Sequence, residues 1–187
     1  MALSPIFMAL FIIDNIWTRF WAMVIFIIAA LTDLYDGYYA RKYGITTSFG
    51  KFADPLADKI LTTVAFLSFV SLGYTEMWMV LAIIIREFLV TGLRALAAYK
   101  GVVIMPTRWA KVKTFLQMTA IAVILVFINL KTFLPPAGIH WDLLESAQSL
   151  NFFYWMMLVT VVVTLATGVD YFVKSFYLLK NTLKQGL

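Results

Sequence analysis

Residues 33–58 read DLYDGYYARKYGITTSFGKFADPLAD and place four aspartates within a chain that is otherwise strongly apolar. On a helix, the first part of this stretch puts two carboxylates, two small residues and an arginine on one face. These residues are Asp33, Asp36, Gly37, Ala40 and Arg41, and the second part adds Gly50, Asp54 and Asp58 at i, i+4 and i+8. An antiparallel hairpin through residues 42–49 would bring the four carboxylates together.

The composition of the 187 residues excludes a conventional soluble domain. Apolar residues make up 63% and charged residues 13%, against about 45–50% and 25% in ordinary soluble domains. The apolar residues fall into six segments, which predicts one all-α integral membrane domain over residues 1–187 with six transmembrane helices. The predicted segments are Ala2–Ile13, Ile16–Arg41, Gly50–Leu72, Met77–Ala98, Arg108–Leu130 and Phe152–Val173.

The charged residues limit the classes of partner and predict an orientation. The net charge of +5 is distributed between apolar segments, which favours anionic lipid or a phosphorylated substrate over nucleic acid. Lysine and arginine are concentrated in the second-to-third connection, the fourth-to-fifth connection and the C-terminal tail. Because cytoplasmic loops are the basic ones, both termini and the carboxylate ends of the segments are predicted to face the cytoplasm.

The aspartate cluster needs cations, because an aspartate within a membrane costs about 2.5–3.5 kcal/mol on insertion scales and neighbouring carboxylates repel each other. The chain has no cysteine and one histidine, so any metal would be bound by oxygen. Carboxylates alone select Mg²⁺, Mn²⁺ or Ca²⁺, and two such ions are typical of phosphoryl transfer. The alternative is that the aspartates only pair with lysine and arginine to hold helices together.

The eight residues of this motif resemble the signature of the CDP-alcohol phosphotransferase family, D-x2-D-G-x2-A-R-x8-G-x3-D-x3-D, at every fixed position. The resemblance implies the fold of that family, a six-helix integral membrane enzyme that is usually a homodimer. It also implies transfer of a substituted phosphate from a CDP-linked donor to an alcohol, with release of CMP. The resemblance covers nearly the whole chain from Pro5 onward, although the family's usual N-terminal amphipathic segment is missing ahead of this proline.

The resemblance assigns roles to the motif residues. Asp33, Asp36 and Asp54 are similar to the family's principal ligands for Mg²⁺ or Mn²⁺, while Asp58 resembles the aspartate that contacts the second metal and acts as general base. The CDP and its diphosphate are expected at Asp33, Gly37, Ala40, Arg41 and Gly50. Small side chains there let the base and diphosphate approach the helices, and an arginine binds phosphate oxygens bidentately. Close helix packing is the alternative explanation for the small residues.

Four basic residues are candidates to bind a phosphorylated acceptor. Arg86 and Arg94 are eight residues apart in the fourth segment, so they share a face about 12 Å apart along the helix. Lys111 and Lys113 begin the fifth segment on the same predicted side of the membrane. The alternatives are that Arg86 pairs with Glu87 or the aspartates and that the lysines are ordinary anchors at the membrane surface.

Three further stretches resemble one bacterial branch of the family, which transfers a phosphatidyl group from CDP-diacylglycerol to glycerol 3-phosphate in the cytoplasmic membrane. They are IIIREFLVTGLRALAA (83–98), AKVKTFLQM (110–118) and TGVDYFVK (167–174). In that branch, the residues matching Arg86, Arg94 and Lys111 bind the acceptor's phosphate. Two alternatives stay open, a different acceptor (inositol phosphate, serine or phosphatidylglycerol) and, from another class, a divalent-cation transporter.

Overall fold

The structure, a computed structural model, describes residues 3–13, 15–43, 48–99, 108–135 and 147–185. Within these ranges the chain forms six helices and no strand, as the all-α prediction expects. The helices are α1 (Leu3–Ile12), α2 (Ile16–Tyr43), α3 (Ser48–Ser71), α4 (Met77–Tyr99), α5 (Arg108–Phe133) and α6 (Ala147–Gln185).

The last helix is much longer than the apolar segment that predicted it. The prediction covered Phe152–Val173, whereas α6 has 39 residues, Ala147–Gln185. An apolar segment marks only the part of a helix that avoids water, while backbone hydrogen bonds continue into polar sequence until a breaker intervenes. Between Ala147 and Gln185 the chain has no proline and a single glycine, so the helix continues past both ends of the apolar segment.

Two of the described helices are long and apolar enough to cross a membrane. Their apolar parts are Lys111–Phe133 and Gln148–Val173. Shorter apolar stretches lie within α2, at Ile16–Thr32, and within α3, at Lys59–Ser71. The 10 residues of α1 span about 15 Å, half of a typical hydrocarbon core of about 30 Å.

Phenylalanines join the N-terminal helices to the core. α1 packs against α2 and α3. Phe7 and Phe11 of α1 are fully buried and stack with ring centroids 5.2 Å apart. Phe7 also contacts Phe26 of α2 at 5.5 Å, and Phe11 contacts Phe69 of α3 edge-on at 5.8 Å. Offset and edge-on ring geometries of this kind stabilise a core beyond the burial of area alone.

The C-terminal half of the core is built around α6. This helix packs against α4 and α5, and α3 contacts both of those helices. Phe127 of α5 and Phe153 of α6 meet edge-on at 4.8 Å, and the ring of Tyr74 lies 6.0 Å from each. Burial raises the pKa of the Tyr74 hydroxyl above its ordinary value, and the opposite effect of the positive charge of Arg19 is smaller. The Tyr74 ring is therefore neutral near pH 7 and packs as part of the apolar core.

A glycine ends α3 and directs the chain into α4. Gly73 has φ 75°, a backbone conformation that residues with a Cβ rarely adopt. The amide of Gly73 donates to the carbonyl of Val70, and the amide of Tyr74 donates to that of Phe69. These two hydrogen bonds define a Schellman motif, which satisfies the last carbonyls of the helix and delivers Tyr74 to the aromatic cluster.

The fold predicts that Phe153 carries a large share of the stability. Its ring is 2% exposed, and replacing a buried phenylalanine by alanine costs about 3–5 kcal/mol. We expect Phe153→Ala to lower the free energy of unfolding by about 3 kcal/mol or more, measured by thermal or denaturant unfolding of the purified protein. The matched control is Phe172→Ala on the same helix, where the side chain is 53% exposed. Equal losses from the two variants would contradict the described packing.

Candidate acceptor-binding and metal-binding site

The aspartate motif lies on two neighbouring helices. Asp33 and Asp36 belong to α2, Asp54 and Asp58 belong to α3, and the two helices contact each other. The side chains of all eight motif residues lie outside the described part of the structure, so the roles assigned to them stay predictions. These residues are Asp33, Asp36, Gly37, Ala40, Arg41, Gly50, Asp54 and Asp58. Among the side chains that are described, no three carboxylate, histidine or cysteine residues form a metal-binding group.

One carboxylate, Glu87 of α4, binds three basic side chains from three helices. It forms ion pairs with Lys59 of α3 and Lys113 of α5, and its Oε1 lies 3.0 Å from Nη1 of Arg86. All four side chains are largely buried, at 8–17% exposure. We call these four residues (Lys59, Arg86, Glu87 and Lys113) the Glu87 cluster. It connects α3, α4 and α5 at one level of the bundle.

The sixth helix completes the surroundings of Arg86. Nη2 of Arg86 donates to Oγ1 of Thr167 at 3.1 Å, and this hydroxyl donates its own proton to the carbonyl of Thr164 at 2.8 Å. Because its proton is committed, the Thr167 oxygen presents only lone pairs to the guanidinium. A second polar contact lies close by in sequence, where Nε2 of Gln117 donates to Oγ1 of Thr164 at 3.4 Å. Both contacts tie α6 to its neighbours through buried polar groups.

The four predicted acceptor-binding residues divide into two pairs. Arg86 and Lys113 are buried and bound to Glu87, whereas Arg94 and Lys111 are exposed. The pairing of Arg86 with Glu87, considered above as an alternative to phosphate binding, is present. Sequence reasoning missed the central position of Glu87 and the participation of Lys59. The signal that could have indicated the role of Glu87 was the presence of a carboxylate within the apolar stretch 83–90.

The Glu87 cluster leaves an excess of positive charge. Three cations and one carboxylate give a formal charge of +2 in largely buried surroundings. Arg86 in addition has a buried Nε–H with no hydrogen-bond partner within the described part of the chain. Buried charges are costly unless paired, so the arrangement favours an anion at this level of the bundle.

The cluster predicts that Glu87 is required for stability. Glu87→Gln keeps the shape of the side chain but removes the carboxylate that three buried cations share, which costs about 3 kcal/mol or more. We expect a clear fall in the unfolding temperature of the purified protein. The matched control is Glu76→Gln, an exposed carboxylate just before α4. Unchanged stability of Glu87→Gln would show that the ion pairs contribute nothing measurable.

The chain matches known proteins over most of its length. The sequence profile described as CDP-alcohol phosphatidyltransferase matches residues 1–166. A protein of Bacillus subtilis named CDP-diacylglycerol–glycerol-3-phosphate 3-phosphatidyltransferase is 36% identical over 97% of this chain and 93% of its own. A protein of the same name from Rickettsia typhi is 41% identical over 65% of this chain and 68% of its own length. Another from Cereibacter sphaeroides is 31% identical over 88% of this chain and 86% of its own length.

These matches confirm the resemblance that the aspartate motif indicated. The profile covers both motif helices and the Glu87 cluster, and the Bacillus relative extends the similarity through α6. The chain belongs to the CDP-alcohol phosphatidyltransferase family.

Proposed function

We propose that this protein is an enzyme that transfers the phosphatidyl group of CDP-diacylglycerol to glycerol 3-phosphate, forming phosphatidylglycerophosphate and CMP. The observation that carries the proposal is the 36% identity, over 97% of the chain, to a relative named for this reaction. Such a reaction needs one site for a diphosphate and one for a phosphorylated acceptor. The complete aspartate motif suits the diphosphate, and the positive Glu87 cluster suits the acceptor.

The protein is a multi-pass integral membrane protein of the bacterial cytoplasmic membrane, a homodimer whose active site faces the cytoplasm. Its six helices are the six membrane segments, of which α1 as described covers about half of the hydrocarbon core. Its surface supports the membrane setting, because apolar side chains are widely exposed while polar ones are buried. Exposed members on α6 are Trp155, Val159, Val162, Val169 and Phe172, and buried polar members are Gln117, Asn129, Thr160 and Thr164. This distribution suits lipid outside and a polar interior. The excess of basic residues in two connections and in the C-terminal tail supports the orientation.

Two divalent cations, Mg²⁺ or Mn²⁺, would be held by Asp33, Asp36, Asp54 and Asp58. The donor set fits these ions, because it consists of hard carboxylate oxygens on two helices that contact each other. When bound, the cations supply positive charge for the diphosphate of the donor and for the charge that develops in phosphoryl transfer. Arg41 binds phosphate oxygens, and the absence of side chains at Gly37 and Gly50, with only a methyl at Ala40, leaves room for the nucleotide.

The acceptor phosphate is bound by the basic residues of α4 and α5. Arg94 and Lys111 are exposed and can meet a solute directly, while Arg86 and Lys113 supply buried positive charge on the same two helices. Charge-assisted hydrogen bonds to a phosphate are stronger than neutral ones and fix its geometry. An unphosphorylated alcohol would leave this positive charge without a counter-ion, so the site favours glycerol 3-phosphate over glycerol or serine.

The reaction then requires one proton transfer and one displacement. Asp58 accepts the proton of the 1-hydroxyl of glycerol 3-phosphate, and the hydroxyl oxygen attacks the phosphorus that bears diacylglycerol. A new phosphorus–oxygen bond forms while the bond to the bridging oxygen of the diphosphate breaks, and CMP leaves. Holding both substrates in place and stabilising charge supply most of the rate in such transfers.

The choice of acceptor can be measured directly. We expect purified protein with CDP-diacylglycerol and Mg²⁺ or Mn²⁺ to release CMP with glycerol 3-phosphate, and at least about tenfold less with glycerol or serine. These two acceptors lack the phosphate, and one well-placed charge-assisted contact contributes about 1.5–3 kcal/mol. Inositol phosphate carries a phosphate as well, so it tests whether the site selects the rest of the acceptor. Chelation by EDTA should abolish the release. Equal release with another acceptor would overturn the proposed substrate, and cation flux into proteoliposomes without lipid turnover would favour a transporter.

The proposed base gives a second test. Asp58→Asn removes the proton acceptor with almost no change of volume, so we expect kcat to fall by about 100-fold or more. The unfolding temperature should stay within a few degrees of the wild type, which separates loss of chemistry from loss of fold. Glu76→Gln, an exposed carboxylate away from the motif, serves as the control and should keep wild-type kcat. An Asp58→Asn enzyme with near wild-type kcat would exclude this residue as the base.

A further inference from the structure

Arg86 is held by two helices at once, its own helix α4 and α6. The residue is 7% exposed. Nη1 donates to Glu87 on its own helix and Nη2 donates to Thr167 of α6, at 3.0 and 3.1 Å. The stem of the same side chain runs across Gly168, the residue that follows Thr167. The guanidinium is therefore positioned by the pair Thr167–Gly168 as well as by Glu87.

Gly168 leaves the space that the Arg86 side chain occupies, because a Cβ there would displace it. A Cβ on Gly168 would lie 2.9 Å from Cγ of Arg86, closer than real Cβ atoms approach, and 3.1 Å from Nε, a tight contact. Cγ is the near end of the arginine side chain, and its position is set by χ1. Relief of the clash would thus need a different χ1 rotamer or a separation of α4 from α6, and either change moves the guanidinium.

The described contacts of Arg86 leave donors for a ligand. A guanidinium has five N–H donors, and the contacts described here use one to Glu87 and one to Thr167. Nε–H is buried and has no partner within the described residues. An unsatisfied buried donor costs about 1–3 kcal/mol, so a ligand oxygen that reached one of these donors would gain that amount.

We propose that Thr167 and Gly168 of α6 are positioning residues for Arg86, which hold its guanidinium in the one orientation that binds the phosphate of the acceptor. This inference rests on the proposed function, because Arg86 is there assigned to acceptor binding. Thr167 supplies the acceptor for Nη2, and Gly168 supplies the space for the stem. Both residues are proposed to act through Arg86, the side chain that they contact.

The test is a comparison of two glycine substitutions. Gly168→Ala should raise the KM for glycerol 3-phosphate by about tenfold, through loss of a charge-assisted contact, with the KM for CDP-diacylglycerol within about twofold of the wild type. Gly92→Ala is the matched control, since Gly92 lies in helix α4 and a Cβ there meets nothing within 4 Å. Both KM values should stay unchanged in that variant. Equal KM values for glycerol 3-phosphate in the two variants would overturn the proposal.

Thr167 offers a second pair that does not depend on how Gly168→Ala folds. Thr167→Ala removes the acceptor of the Nη2 hydrogen bond, whereas Thr167→Ser keeps it. We expect a raised KM for glycerol 3-phosphate in the alanine variant and recovery in the serine variant. If both variants have the wild-type KM, or both are equally impaired, the hydroxyl does not position Arg86.

A double-mutant cycle distinguishes this inference from the proposed function. In an Arg86→Ala background, Gly168→Ala should have no further effect on the KM for glycerol 3-phosphate or on the unfolding temperature, because the atoms it displaces are gone. A raised KM in Arg86→Ala with no change in Gly168→Ala would leave the function intact and overturn the positioning. If the wild type forms no phosphatidylglycerophosphate, the proposed function fails. In that case the unfolding temperatures of the single and double variants test whether Gly168 and Arg86 interact. If the effects of Gly168→Ala and Arg86→Ala on the unfolding temperature simply add, Gly168 does not position Arg86.

Discussion

The carboxylate of Glu87 is the interaction on which the arrangement of the helices depends. It brings together cations from α3, α4 and α5, and through Arg86 it reaches Thr167 of α6. Hydrophobic contacts alone specify the relative rotation of helices weakly, because apolar surfaces are interchangeable. A carboxylate bound by three cations tolerates no slip of register, since each lost pair leaves a buried charge unpaired. The ion pairs therefore select one packing among the many that apolar surfaces would allow.

The sequence predicted the helical class, the order of the six helices and the family, because each depends on local patterns. Apolar segments marked the helices, and fixed spacings marked the aspartate motif. The ends of α6 were missed because hydropathy does not report where backbone hydrogen bonding stops. The role of Glu87 was missed for a different reason. Its partners Lys59 and Lys113 are distant in the chain. They meet Glu87 only because α3 packs against both α4 and α5, while α6 packs against α4 and α5.

Four basic residues looked alike in the sequence and differ in the structure. Arg86 and Lys113 are buried against a carboxylate, while Arg94 and Lys111 are exposed. From the sequence, pairing with Glu87 and binding of an anion were two alternative interpretations of Arg86. They are compatible, because a guanidinium has five donors and Glu87 accepts from one of its nitrogens. The pairing also reduces the cost of keeping an arginine buried before an anion arrives.

The two halves of the proposed site are connected through consecutive residues of one helix. Asp58, proposed as the base, directly precedes Lys59, which binds Glu87. Adjacent residues on a helix are rotated by about 100° from each other and separated by about 1.5 Å along its axis. The ion pair that fixes the rotation of α3 at Lys59 thus also fixes the backbone of Asp58 relative to α4. Because Arg86 lies next to Glu87 on α4, the helix that carries the proposed base and the arginine proposed to bind the acceptor's phosphate are linked through the same carboxylate.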